Sequence, residues 1–141
     1  MDHAATARHF YELINDGDID GFVDLLADNF VEHEETPGLP PTKDGVKQFF
    51  TMYIGAFPDL HFAADDILAS GDKVVGRVTI TGTNKGADFM GMPATGKSVS
   101  VQAIDIIRFG DDGLAHEHWG VVDVMTMMQQ LGVVPTPGAP A

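Results

Sequence analysis

Two histidines stand two residues apart, His116 and His118, in the run AHEHWG from Ala115 to Gly120. Imidazole ionises closer to neutral pH than any other side chain, so either is a candidate general acid or base. On a strand, His116, His118, Gly120 and Val122 share one face, and Glu117, Trp119, Val121 and Asp123 share the other. The same spacing lets two imidazoles hold one metal ion, with His33 or a glutamate completing the set, although such pairs are common without metal. His33 itself follows Glu32 and precedes Glu34 and Glu35. Those carboxylates favour its protonated form wherever they approach it; the plainer alternative is an exposed loop histidine. Arg77 lies in a Val- and Thr-rich segment, where a buried guanidinium needs a partner. It either binds a ligand carboxylate or enolate oxygen, or forms a salt bridge on the sheet surface. Gln102 and Asp105 are an odd number apart, so a strand turns only one of them to a given side. Gln102 shares its face with Ile104 and Ile106, a mostly apolar wall with one hydrogen-bonding group. It is the expected pocket residue, which leaves Asp105 to solvent, a partner subunit or Arg108.

The elements that position these residues follow from periodicity. Ala7, Phe10, Tyr11 and Ile14 mark a helix over Ala4–Asn15, broken by Asp16-Gly17-Asp18. Ile19, Phe22, Val23, Leu26 and Phe30 form the stripe of a second amphipathic segment. A loop containing Pro37, Gly38, Pro40 and Pro41 leads to Thr42, the N-cap of a third helix carrying Val46, Phe49, Phe50 and Tyr53. Three helices are therefore expected before the first clear strand. Leu60–Leu68 alternates imperfectly; Lys73–Thr83 and Ser98–Phe109 are rich in β-formers. Gly110-Asp111-Asp112-Gly113 is a hairpin turn. A last strand, Leu114–Asp123, runs into a short helix, Val124–Leu131, stopped by Gly132. Helices first and long strands afterwards imply an α+β fold, a mostly antiparallel curved sheet packed on N-terminal helices. Such a sheet makes a cone whose mouth is a small-molecule pocket. One domain is expected over 1–134, with a loosely attached Pro- and Ala-rich tail at 135–141.

Composition narrows the functions. A chain of 141 residues can close one sizeable core, and 44% hydrophobic with 21% charged residues is ordinary for a globular protein. The net charge of −13, with eight scattered basic residues, argues against nucleic acid and anionic membranes as partners. No apolar run is long enough for a membrane span, and MDHAATARHF has no basic region before an apolar stretch, so a cytoplasmic location is expected. The absence of cysteine removes disulfides and thiolate chemistry. Gly96-Lys97-Ser98 precedes a strand rather than a helix and is no phosphate loop.

The segment AHEHWGVVDVMTMMQQLG (Ala115–Gly132) resembles the closing strand and helix of SnoaL-like proteins, the polyketide cyclases and ester cyclases of the NTF2-like superfamily. GRVTITGT (Gly76–Thr83), GADFMGMPATGKSV (Gly86–Val99), IDIIRFGDDG (Ile104–Gly113), FVEHEETPG from Phe30 and FPDL (Phe57–Leu60) occur in the order that family shows. The resemblance implies the cone fold, homodimerisation through the sheet, and acid/base chemistry without cofactor or metal on a small hydrophobic carbonyl compound. It turns the His116 and His118 face toward the pocket and makes His118 the leading acid/base. His33 is then a second proton or hydrogen-bonding group, and Arg77 with Gln102 the partners of a developing oxyanion. Phe50, Tyr53, Thr79, Met90, Ile104, His116 and Trp119 are candidate substrate-binding residues; the plainer reading of Phe50, Tyr53, Met90 and Trp119 is packing, with a flexible lid as the alternative for Met90 in its Gly-rich loop. In the cyclases the residue after this tryptophan is an aspartate; here it is Gly120, which moves no proton. Asp123 is expected to cap the final helix. The rival expectation is a pocket of the same fold that binds a ligand without converting it.

Overall fold

Asp2 starts helix α1 (His3–Asn15) by accepting a hydrogen bond from the Ala5 amide, and the helix buries Ala7, Phe10, Tyr11 and Ile14 as its periodicity predicts. The computed structural model describes residues 2–135 and 138, so most of the tail expected at 135–141 lies outside the described residues. A short helix α2 (Ile19–Val23) follows, capped by Asp18.

The apolar stripe does not continue as helix to Phe30. From Leu26 to Glu32 the chain extends into strand β1 and buries Leu26, Ala27 and Phe30. Asp28 and Asn29 are poor helix formers. The open edge of the last strand pairs with β1 at Leu26, Val31 and Glu32, and that tertiary pairing wins over the helical spacing. Helix α3 (Lys43–Ala56) begins at Thr42, as expected.

The other strands are β2 (His61–Ser70), β3 (Lys73–Thr83), β4 (Ser98–Phe109) and β5 (Ala115–Val122). They form a curved, unclosed sheet in the order β1-β5-β4-β3-β2, antiparallel except for the parallel β1–β5 pair. The Gly110–Gly113 turn closes with the Gly110 amide donating to the Leu114 carbonyl at 3.0 Å. Helix α4 (Val124–Leu131) starts at Asp123, whose carboxylate accepts from the Thr126 amide, and stops at Gly132 with φ of 81°.

The concave face of the sheet carries Val74, Val78 and Ile80 from β3 and Val99, Val101, Ala103, Ile107 and Phe109 from β4, all buried against the helices. The convex face is different: Val75, Ile104 and Val121 are 37%, 45% and 68% exposed. Among the described residues no helix is long and apolar enough to cross a membrane.

Candidate functional site

Between the helices and the concave sheet lies a cavity of about 470 Å³, a size that suits a small organic ligand. Its wall is mostly aromatic and aliphatic. One patch is ionisable, built from Glu32, Glu34, Asp105 and His118. Strand pairing assembles it: Glu32 lies beside His118 in the parallel β1–β5 register, and Asp105 lies opposite Gly120 in β4–β5. His118 donates from Nδ1 to Glu32 Oε1 at 2.5 Å and from Nε2 to Asp105 Oδ1 at 2.8 Å. Tyr11, reaching down from α1, donates its hydroxyl to Asp105 Oδ2 at 2.8 Å.

Two glycines make room. Asp105 pairs with Gly76 on one side and Gly120 on the other. A Cβ on Gly76 would stand 2.5 Å from the Tyr11 hydroxyl, and a Cβ on Gly120 would overlap Glu34 Oε2.

Burial alone would lower the His118 pKa, but hydrogen bonds to Asp105 and Glu32, together with their charges, outweigh it and carry the pKa from 6.5 to about 10. At neutral pH His118 is therefore an imidazolium, and both of its N–H groups are already committed. Glu34 behaves in the opposite way. Burial raises its pKa from 4.5 to about 7; His118 pulls it down, while Asp105 and Glu32 push it up. Tyr11 is raised by burial and then by the charge and hydrogen bond of Asp105. Tyr53 is raised by burial and then by the charge of Glu34. Donor atoms of Glu32, Glu34 and His118 all lie within 4.8 Å of one another, close enough to share an ion. Coordination through His118 would first have to break one of its two carboxylate pairs.

Several expected residues lie elsewhere. Gln102 is exposed on the convex face, and Ile104 is with it. The faces of β4 are the reverse of the expectation, because Asp105 shares its face with Val99, Val101, Ala103, Ile107 and Phe109, a more apolar set than Ser98, Ser100, Gln102, Ile104, Ile106 and Arg108. Arg77 is also convex, held by Asp66 through Nη2 at 2.7 Å and Nε at 2.8 Å. Thr79 donates to Asp65 at 2.6 Å, and neither it nor Arg77 lines the cavity. His33 stacks on Trp119 at 4.7 Å between ring centroids, and its Nε2 meets Glu117 at 2.8 Å rather than the glutamates adjacent in sequence. Both belong to a convex groove with Ile104, Ile106 and Val121. His116 sits beside the hairpin turn, bonded to Asp112 at 3.0 Å. Tyr53, Phe50 and Met90 do line the cavity with His118. Sequence reasoning missed Glu32, Glu34 and Tyr11 and misplaced Asp105; the alternation of β4 was the signal for the last.

The family described as SnoaL-like polyketide cyclase matches residues 4–131. Among solved structures, TsrD from Streptomyces laurentii is 28% identical with a TM-score of 0.83, the match covering 95% of this chain and 99% of that one. IdmH from Streptomyces antibioticus, provisionally assigned as a polyketide cyclase, is 31% identical with a TM-score of 0.80, covering 94% and 99% of the two chains. AclR from Streptomyces galilaeus, provisionally assigned as a hydroxylase, is 29% identical with a TM-score of 0.82, covering 98% and 84%. No curated protein matches the sequence.

Proposed function

The chain belongs to the SnoaL-like polyketide cyclase family, and from that premise we propose that it is a cyclase-type enzyme performing cofactor-free acid/base chemistry on a small hydrophobic carbonyl compound. The observation that carries this reading is the ionisable patch of Glu32, Asp105, His118 and Glu34 in the wall of an otherwise apolar cavity. Burying an ion pair is a weak route to stability, since apolar residues of the same volume commonly do as well or better. A carboxyl group such as Glu34, whose ionisation is displaced by burial and neighbouring charge, is what proton-transfer sites contain. The apolar remainder of the cavity supplies affinity for a hydrocarbon-rich ligand and strengthens every charge interaction at the patch.

A second reading, a pocket that binds without converting, is favoured by Gly120, which has no acid where the cyclases carry one. Screening polyketide-like β-carbonyl compounds and lactones separates the two. Turnover of a compound that also protects the protein thermally supports the enzyme. Several tight ligands with no turnover of any would establish the binding protein instead.

A further inference from the structure

Two polar groups of the cavity make no hydrogen bond among the described residues. Among the described residues nothing donates a hydrogen bond to the Glu34 carboxylate, although it lines the cavity next to His118 and Asp105. It lies over the backbone of Gly120, where a Cβ would overlap its Oε2 and would come within 2.8 Å of His118 Cε1 and 3.0 Å of Asp105 Oδ1. The glycine is thus a matter of space: any side chain at position 120 would displace the carboxylate. The second group is Tyr53. It is only 4% exposed and lines the same cavity, and its hydroxyl has no hydrogen-bond partner among the described residues. Buried hydroxyls are nearly always paired, so this one is free to donate to an oxygen of a molecule bound in the cavity.

We propose that Glu34 is the proton carrier of the cavity and Tyr53 its oxyanion donor, acting on a hydrophobic ketone with an acidified C–H beside the carbonyl. This rests on the acid/base reading above. The substrate C–H bond breaks and its proton passes to a Glu34 oxygen. The bonding pair becomes the C=C of an enolate, and the carbonyl π pair moves onto oxygen, where the Tyr53 hydroxyl donates to it. Glu34 then returns the proton, either to carbon or to the alkoxide formed when the enolate carbon attacks a second carbonyl of the same molecule. Nothing is oxidised or reduced. The groups facing Glu34 are Glu32 from β1, Asp105 from β4, His118 from β5 and Tyr53 from α3, with Tyr11 of α1 behind Asp105 and Glu35 next along the loop. Burial first, and then the charges of Asp105 and Glu32 against the opposing pull of His118, hold Glu34 at about 7, where both of its protonation states are populated at neutral pH. His118 keeps its two N–H bonds throughout and serves as a fixed positive charge.

Hydrogen–deuterium exchange at C1 of 2-tetralone in D₂O, followed by NMR, tests the step without requiring the natural substrate. The wild-type protein is expected to accelerate exchange, with a rate that rises through a single ionisation close to pH 7. Glu34→Gln should reduce the acceleration by about 10²- to 10⁴-fold, and Tyr53→Phe by about 10²-fold, with both variants folded and the melting temperature of Glu34→Gln no lower than that of wild type. Glu34→Asp should retain part of the acceleration, and Gly120→Ala should lose it with the displaced carboxylate. Exchange by Glu34→Gln at the wild-type rate overturns the assignment to Glu34 and leaves the acid/base reading standing. A wild-type protein that does not accelerate exchange overturns both.

Discussion

Asp105 and His118 meet at 2.8 Å, carboxylate oxygen to Nε2, from neighbouring strands of one sheet. Glu32 holds the other ring nitrogen at 2.5 Å, so the imidazolium is clamped between two negative charges. The clamp sets both the charge and the orientation of the patch, and its energetics are open to direct measurement.

His118→Gln removes the cation and leaves two largely buried carboxylates facing each other. Denaturant titration at neutral pH should show a loss of about 3–5 kcal/mol, the usual cost of breaking a buried pair from one side. The sign with pH is fixed. The folded pKa, about 10, lies above the unfolded value of 6.5, so the contribution is complete below pH 6.5 and disappears as pH rises through 10. The gap in stability between wild type and variant should therefore close from pH 6.5 to 10. A constant gap across that range would falsify the clamp.

Glu34 gives a second, separable pH effect. Its folded pKa of about 7 exceeds the unfolded 4.5, so the unfolded chain ionises first and stability declines as pH rises from 4.5 to 7. Glu34→Gln should remove that decline. The variant should match wild type at pH 4 and exceed it by about 1–2 kcal/mol at pH 8, a figure discounted for partial solvent access. Equal stability at both values would mean that the carboxylate is not desolvated.

Gly76 and Tyr11 should show strong non-additivity. Gly76→Ala puts a methyl 2.5 Å from the Tyr11 hydroxyl and is expected to cost about 1–3 kcal/mol in the wild-type background. Tyr11→Phe costs about 1–2 kcal/mol by leaving Asp105 short of a donor. In the Tyr11→Phe background the alanine meets no hydroxyl, so its own cost should fall by about half or more. Simple addition of the two penalties in urea melts would refute the close-approach account.

Much of this was legible in the sequence, and the failures have a common physical origin. The α1 stripe, the Thr42 and Asp123 caps, the Gly110–Gly113 turn and the placement of His118 in the cavity all rest on local spacing or on family resemblance. The helix expected to continue to Phe30 failed because a partner strand 86 residues away decides that segment's backbone, and no local window contains it. Family resemblance points Arg77 to the pocket, and the apolar neighbours Ile104 and Ile106 point Gln102 there; each belongs to the wetter of two faces. Glu34 was invisible as a site because its relevance depends on the missing side chain of Gly120, on a strand far along the chain.

The convex face carries a prediction about assembly. Val75, Ile104 and Val121 are exposed apolar side chains on three successive strands, with Ile104 and Val121 directly paired and Ile106 opposite Val75. A homodimer joined through this face should sediment at about twice 15.1 kDa at micromolar concentration. Val121→Asp should shift it to monomer without unfolding it. A monomer at all concentrations, or a dimer indifferent to that substitution, would place the interface elsewhere.

The parallel pairing of β1 with β5 also dictates when the patch comes into being as the chain folds. Strands β2 to β5 follow one another in sequence and can zip up neighbour by neighbour, whereas Glu32 and His118 are separated by 86 positions. Closing a loop of that length carries an entropic cost of about 4 kcal/mol, met only when the remainder of the sheet is ready to receive the strand. A chain arrested with the β2–β5 meander complete would already hold Asp105 and His118 together, yet it would lack both glutamates and the wall they complete. Recovery of ligand binding during refolding should accordingly follow the slowest structural phase, well after most β-sheet signal has returned.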